Sequence, residues 1–186
     1  MKFEQLALPG VMLVSLERHE DSRGFFSELV STELKDALGF HASAQLNLSS
    51  SAASVFRGMH LQLPPFGQDK LVFCLSGSIT DYVLDVSPGS STFGQSIGVD
   101  LSDAQLQALF IPAHYAHGFL AGDGGAQVLY TVSQDRVVDH EISIQYASTS
   151  VAQRIQGAEL ILSDKDAAAM TLDEFAAEHP EHPVLS

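Results

Sequence analysis

Lys70-Leu71-Val72-Phe73-Cys74-Leu75-Ser76-Gly77-Ser78-Ile79-Thr80-Asp81-Tyr82-Val83-Leu84-Asp85-Val86 decides the fold class. It holds two β-rich runs, Lys70–Leu75 and Ile79–Val86, separated by the turn signal Ser76-Gly77. Branched and aromatic side chains suit the pleated surface of a strand better than a helix. The same rhythm continues on both sides. Val11–Leu16, Leu109–Ile111, Ala126–Val132 and Glu141–Tyr146 are further short runs. Pro9-Gly10, Pro64-Pro65-Phe66-Gly67, Pro88-Gly89 and Gly122-Asp123-Gly124-Gly125 punctuate them. Many short strands between regular turns predict an all-β sandwich or barrel. Ile79–Val86 alternates only in part, as a strand does where polar site residues enter a binding barrel.

Helical patterns are few. Ser31–Leu38 is one short candidate, and Thr171-Leu172-Asp173-Glu174 has the spacing of a capping box that opens a helix through Ala177. One domain spanning 1–186 is expected, with a tail at 178–186 that holds two prolines and frays.

Composition narrows the function. Hydrophobic residues make up 45%, enough for a sizeable core, yet no apolar run reaches the roughly 20 residues of a membrane span. Met1–Gln5 lacks a basic segment followed by an apolar one, so no signal peptide is expected. Cys74 is the single cysteine; it cannot form an internal disulfide and reads as a small core residue, which fits the cytoplasm. Nine Lys and Arg stand against 23 Asp and Glu, a net charge of -14. That argues against nucleic acid as a partner, since its binders need a basic footprint. A small phosphorylated ligand needs only a few local cations, so those lying in motifs matter: Arg23, Arg57 and Lys70.

The chemistry concentrates in Arg57-Gly58-Met59-His60-Leu61-Gln62, followed by Gln68-Asp69-Lys70 and later by Ile111-Pro112-Ala113-His114-Tyr115-Ala116-His117-Gly118-Phe119. A base, anion binders and amides in so short a stretch form a site-like cluster. Bare alternation puts Arg57 and His60 on opposite faces of a strand. Both face one cavity only if the strand bulges, and Gly58 permits a bulge. The two segments resemble the paired motifs of cupins, whose metal-binding members supply an H-x-H pair, a carboxylate and a third His. Here Gln62 replaces the second His, and His117 is left for the third slot. Two ligands hold a transition metal poorly, so no metal and no other cofactor is expected.

Further stretches carry a closer resemblance: Asp21–Glu28, Gln45–Ser49, Arg57–Gln62, Gln68–Val72, Asp81–Asp85, Ser91–Gly94, Ile111–Phe119, Tyr130 and Leu162-Ser163-Asp164-Lys165-Asp166. In this order and spacing they resemble the dTDP-4-dehydrorhamnose 3,5-epimerase family, a metal-free branch of the cupins. The resemblance implies a cupin-type jelly-roll sandwich with a few short peripheral helices. It also implies a ligand, a nucleotide-diphosphate 4-keto-6-deoxy sugar; no membrane partner is expected because no apolar run is long enough to span one. It places His60 as the base that removes the proton beside the C4 ketone, Tyr130 as the proton donor on the opposite face, and Lys70 as the cation at the ketone. Arg57, Asp81 and His117 match sugar-ring and polar-network positions. Arg23, Phe26, Glu28, Gln45 and Asn47 match positions that hold the nucleotide diphosphate; the first three come from a partner subunit, which implies a homodimer.

The chain departs from the family pattern in places. The aromatic pair after the acid Tyr is Asp135 and Arg136 here, so Arg136 marks the nucleotide-base region and weaker discrimination for thymine is expected. Seven residues after Glu141, where the family has an Asp that hydrogen-bonds the base His, stands Ser148. Loss of that carboxylate predicts catalysis that is weak, confined to one carbon or absent, unless Glu141 or Asp139 takes over. Three readings result: an epimerase, a sugar-nucleotide binder without efficient catalysis, and a metal-dependent cupin oxygenase or isomerase, which Gln62 disfavours.

Overall fold

The turn signal at Ser76-Gly77 does not turn the chain. In the structure, a computed structural model that describes residues 1–43 and 45–184, Lys70–Asp85 is one strand (β7). Tyr115–Val132 (β10) runs antiparallel beside it and passes through Gly122–Gly125 without reversing. The register shifts between Ala121 and Ala126 and again between Gln127 and Val128. There Gly77 has a φ of 75°, and a Cβ on it would fall 2.1 Å from the Gly125 carbonyl oxygen. Turns and bulges draw on the same residues, because both need a positive φ or a close backbone approach.

Each long strand changes partners at this bend. Lys70–Phe73 pairs with Gln107–Ile111 (β9), which leads through Met12–Ser15 (β2) to Lys2–Gln5 (β1). Ser78–Leu84 pairs instead with Ser96–Ser102 (β8). On β10, Ala126–Thr131 pairs with Leu46–Ser51 (β5). The earlier half of β10 pairs with Phe56–Gln62 (β6), which carries Glu141–Ser143 (β11) on its far side. Val72, Leu109 and Val128 of one half pack in a single cluster with Val83, Leu101 and Phe119 of the other. The two halves therefore face each other as a sandwich, the expected all-β, cupin-type class.

Short helices cover part of the outer faces. Thr32–Leu38 (α1), N-capped by Ser31, brings Leu34 to Phe40, Leu71, Phe73 and Phe110. Val151–Arg154 (α2), Asp164–Ala167 (α3) and Leu172–Glu178 (α4) follow the last strand. The predicted capping box at Thr171 and Glu174 is present, and α4 buries Phe175 against Phe56, Leu84 and Ile144. His19–Asp21 (β3) and Gly24–Phe26 (β4) form a separate two-stranded ribbon. No helix among the described residues is long and apolar enough to cross a membrane.

Where a frayed tail is expected at 178–186, its described part makes packing contacts with the sandwich. His182 is buried, its Nε2 lies 2.9 Å from the His114 carbonyl, and its ring meets Phe175 edge-on. Ser87 donates to the Pro183 carbonyl at 2.6 Å. The prolines end α4 without freeing the chain after it; Leu185 and Ser186 lie outside the described residues.

Candidate active site

Strand alternation aims polar residues at one end of the sandwich. On β7, Lys70 shares the inward face with Val72 and Cys74; on β10, Tyr130 shares it with Val128. Asn47 and Ser49 of β5 face the same space, whereas Leu46 and Leu48 point outward and are 60% and 63% exposed. From the other half come Arg57, His60 and His117. Together they line a cavity of about 400 Å³.

The bulge that Arg57 and His60 require is present. His60 pairs with His117 and Arg57 with Phe119, so three steps on β6 oppose two on β10. Gly58 sits at the shift with φ 118°, where a Cβ would meet the Gly118 Cα at 2.6 Å and the His117 carbonyl at 2.7 Å.

His60 Nε2 lies 2.6 Å from Asp166 Oδ1. Asp166 is in α3, where Ser163 Oγ caps its N–H at 3.1 Å. Burial acts to raise the Asp166 carboxyl, but His60, Ser163 and the Gly58 N–H outweigh it and hold it below the usual range. The expectation for Ser148 is thus corrected. Ser148 ends a single 3-10 turn, donates to the Gln145 carbonyl at 2.8 Å and accepts from Leu172 N at 3.0 Å, away from the cavity. Glu141, an alternative partner considered for the base, is also engaged elsewhere. Its Oε2 receives Arg136 at 2.6 Å and Lys165 at 3.0 Å. Burial acts to raise it, and these two cations outweigh burial and lower it.

A second pair stands deeper. His117 Nε2 lies 2.7 Å from Asp81 Oδ1, in contact but without the alignment of a hydrogen bond. Asp81 is fully buried, and burial holds its carboxyl above the usual range against the pull of His117 and Lys70. Burial pushes Lys70 down to about 8, opposed by Asp69, Asp81 and Glu141. Tyr130 is raised, first by burial and then by Glu141.

Arg57, Lys70, Arg136 and Lys165 all border the cavity, four of the nine Lys and Arg in an otherwise acidic chain. This concentration suits an anionic ligand. Arg57 Nε donates to Ser51 Oγ at 2.9 Å, and Gln45 Nε2 to Asn47 Oδ1 at 2.9 Å. Arg23, Phe26 and Glu28 are not brought to this cavity. They are exposed on or beside the β3–β4 ribbon, where Arg23 pairs with Asp21. Residue-by-residue reading missed Asp166 and Lys165 as site residues, although the stretch Leu162–Asp166 that carries them was among the matching segments.

A profile of the family described as dTDP-4-dehydrorhamnose 3,5-epimerase matches residues 5–174. An enzyme of that description from Mycobacterium tuberculosis (strain CDC 1551 / Oshkosh) is 37% identical over 183 residues, 95% of this chain and 90% of the relative. The crystal structure of a 4-keto-6-deoxy sugar epimerase from the novobiocin gene cluster of Streptomyces spheroides superposes with a TM-score of 0.90 at 30% identity. It covers 99% of this chain and 93% of that one. A Legionella pneumophila epimerase solved with dTDP-4-keto-L-rhamnose gives 0.86 at 33% identity and covers 95% of both chains. The chain belongs to the dTDP-4-dehydrorhamnose 3,5-epimerase family.

Proposed function

We propose that this chain epimerises a nucleotide-activated 4-keto-6-deoxyhexose at C3, C5 or both. The observation that carries the reading is the pairing of His60 with the ionised Asp166 in the cavity that Tyr130 and Lys70 also line. His60 takes the proton from the carbon beside the ketone. The charge that forms moves onto the ketone oxygen, where the Lys70 ammonium stabilises it. Tyr130 returns a proton to the other face of the same carbon, inverting it, and solvent restores both side chains. Each role has a physical warrant. Asp166 fixes the imidazole orientation and stabilises the imidazolium. A Lys near 8 is still largely cationic at pH 7, and a raised Tyr130 keeps its proton until the enolate demands it.

The diphosphate is proposed to bind among Arg57, Gln45 and Asn47, with Asp81 and His117 at the sugar end and Arg136 near the base. Arg23, Phe26 and Glu28 are proposed to reach the cavity of a second copy in a homodimer. The exposed Phe25 and Phe26, and Leu46 and Leu48 on the outer face of β5, give such a dimer apolar surface to bury. The reading as a binder without catalysis rested on Ser148, and Asp166 removes that ground.

The test is incubation with 4-keto-6-deoxy sugar nucleotides of different bases in D₂O, with deuterium at C3 and C5 followed by NMR. Incorporation with inverted product supports the proposal. Binding without incorporation at either carbon contradicts it. For the dimer, mixing Arg23→Ala with His60→Asn chains should restore some activity that neither homodimer shows.

A further inference from the structure

Gln62 reads at first as the residue that spoils a metal site, yet its amide is fully used. It is 2% exposed and pairs with Glu141 across the β6–β11 ladder. Its Oε1 accepts from Val137 N at 2.8 Å, and its Nε2 donates to the Asp135 carbonyl at 3.3 Å and to the Phe66 carbonyl. One side chain thus holds the peptide groups on both sides of Arg136. Gln45 Oε1 takes the Arg136 N–H itself at 2.8 Å. Backbone groups of three consecutive residues, Asp135, the exposed Arg136 and Val137, are pinned by two glutamines from other strands or loops. The Arg136 guanidinium then meets Glu141, which stands in the strand paired to Gln62.

We infer that Gln62 is a positioning residue: it sets the Arg136–Glu141 wall of the cavity and through it the affinity for a nucleoside diphosphate. A loop needs one hydrogen bond to be tethered; fixing the backbone before and after one residue holds that side chain in register with a ligand. The inference rests on the proposed function for its ligand and adds a residue that reaches the cavity lining but acts through Arg136. Leaving the buried partners of Gln62 unpaired frees the segment around Arg136, since each unsatisfied buried group favours a rearrangement that reaches water.

The probe is dTDP, titrated calorimetrically into wild type, Gln62→Leu, Arg136→Ala and the double variant. Each single variant is expected to weaken dTDP by about tenfold, and the double variant no further than the weaker single. Trypsin cleavage after Arg136, measured without ligand and well below the melting temperature of each variant, should be faster in Gln62→Leu. Losses that multiply in the double variant would overturn the inference. So would faster cleavage with unchanged dTDP affinity, which would confine Gln62 to a structural part. If wild type fails to bind dTDP while cleavage still accelerates, the failure falls on the proposed function, and the placement of Arg136 by Gln62 stands.

Discussion

Two His–Asp pairs stand at one cavity, one with both residues in its lining and one with only its histidine there, and they differ in exposure, alignment and charge. The His60 side chain is 32% exposed, and its contact with Asp166 is an aligned hydrogen bond of 2.6 Å. The His117 side chain is 11% exposed, and its 2.7 Å contact with Asp81 is not aligned. Asp166 is held ionised by hydrogen bonds that outweigh its burial; Asp81 is raised because burial outweighs its neighbours. The same two residue types therefore give a histidine with a charged orienting partner in one place, the proposed base, and in the other a histidine against a buried carboxyl that acts on Lys70 through its charge. Environment, rather than residue identity, separates the two.

Asp166→Asn tests the first pair most severely. It removes the charge that favours the imidazolium, and the rate is expected to fall by about 10²–10⁴-fold with little change in ligand affinity. Steady-state kinetics with a binding titration reads both. Lys70→Met comes next, with a loss of about 10²–10³-fold if Lys70 carries the enolate charge. The rate of wild type should also fall as pH rises through about 8, where Lys70 loses its proton. The stability effect has the opposite sign to the usual lysine pair. The folded value of about 8 lies below the unfolded 10.5, so the unfolded state holds more protons between them. Lys70 thus makes stability rise with pH across that window, and Lys70→Met should flatten the rise in melts taken from pH 7 to 11.

Asp81→Asn sharpens the comparison from the other side. Asp81 helps keep Lys70 protonated, so its removal should move the alkaline limb of the pH–rate profile to lower pH, while the rate on the acid side falls less than in Asp166→Asn. A loss as large as that of Asp166→Asn at every pH would make Asp81 an equal partner in proton transfer. The smallest effect is predicted for Ser148→Asp. Position 148 lies off the cavity, so the rate should stay within about twofold.

The strand content, the capping box at Thr171 and the bulge at Gly58 were legible in the sequence because each is a local pattern. Ser76-Gly77 and Gly122–Gly125 were misleading for a physical reason: glycines that permit a turn equally permit two long strands to bend together. The resemblance to the family's motifs assigned His60, Tyr130, Lys70, Arg57 and His117 to one site, and all five line the cavity. Asp166 could not, because it lies 106 residues from His60 and meets it only when α3 folds back over β6. Counting along the chain from Glu141 led instead to Ser148. Arg23, Phe26 and Glu28 show the other limit, since a single chain does not bring them to its own cavity.

The most direct measurement is deuterium wash-in at C3 and C5 of the bound sugar nucleotide, compared between His60→Asn and His117→Asn at matched ligand saturation. The account predicts no wash-in for His60→Asn and measurable, if slower, wash-in for His117→Asn. Wild-type wash-in in His60→Asn, with none in His117→Asn, would assign the base to the other pair and contradict the account.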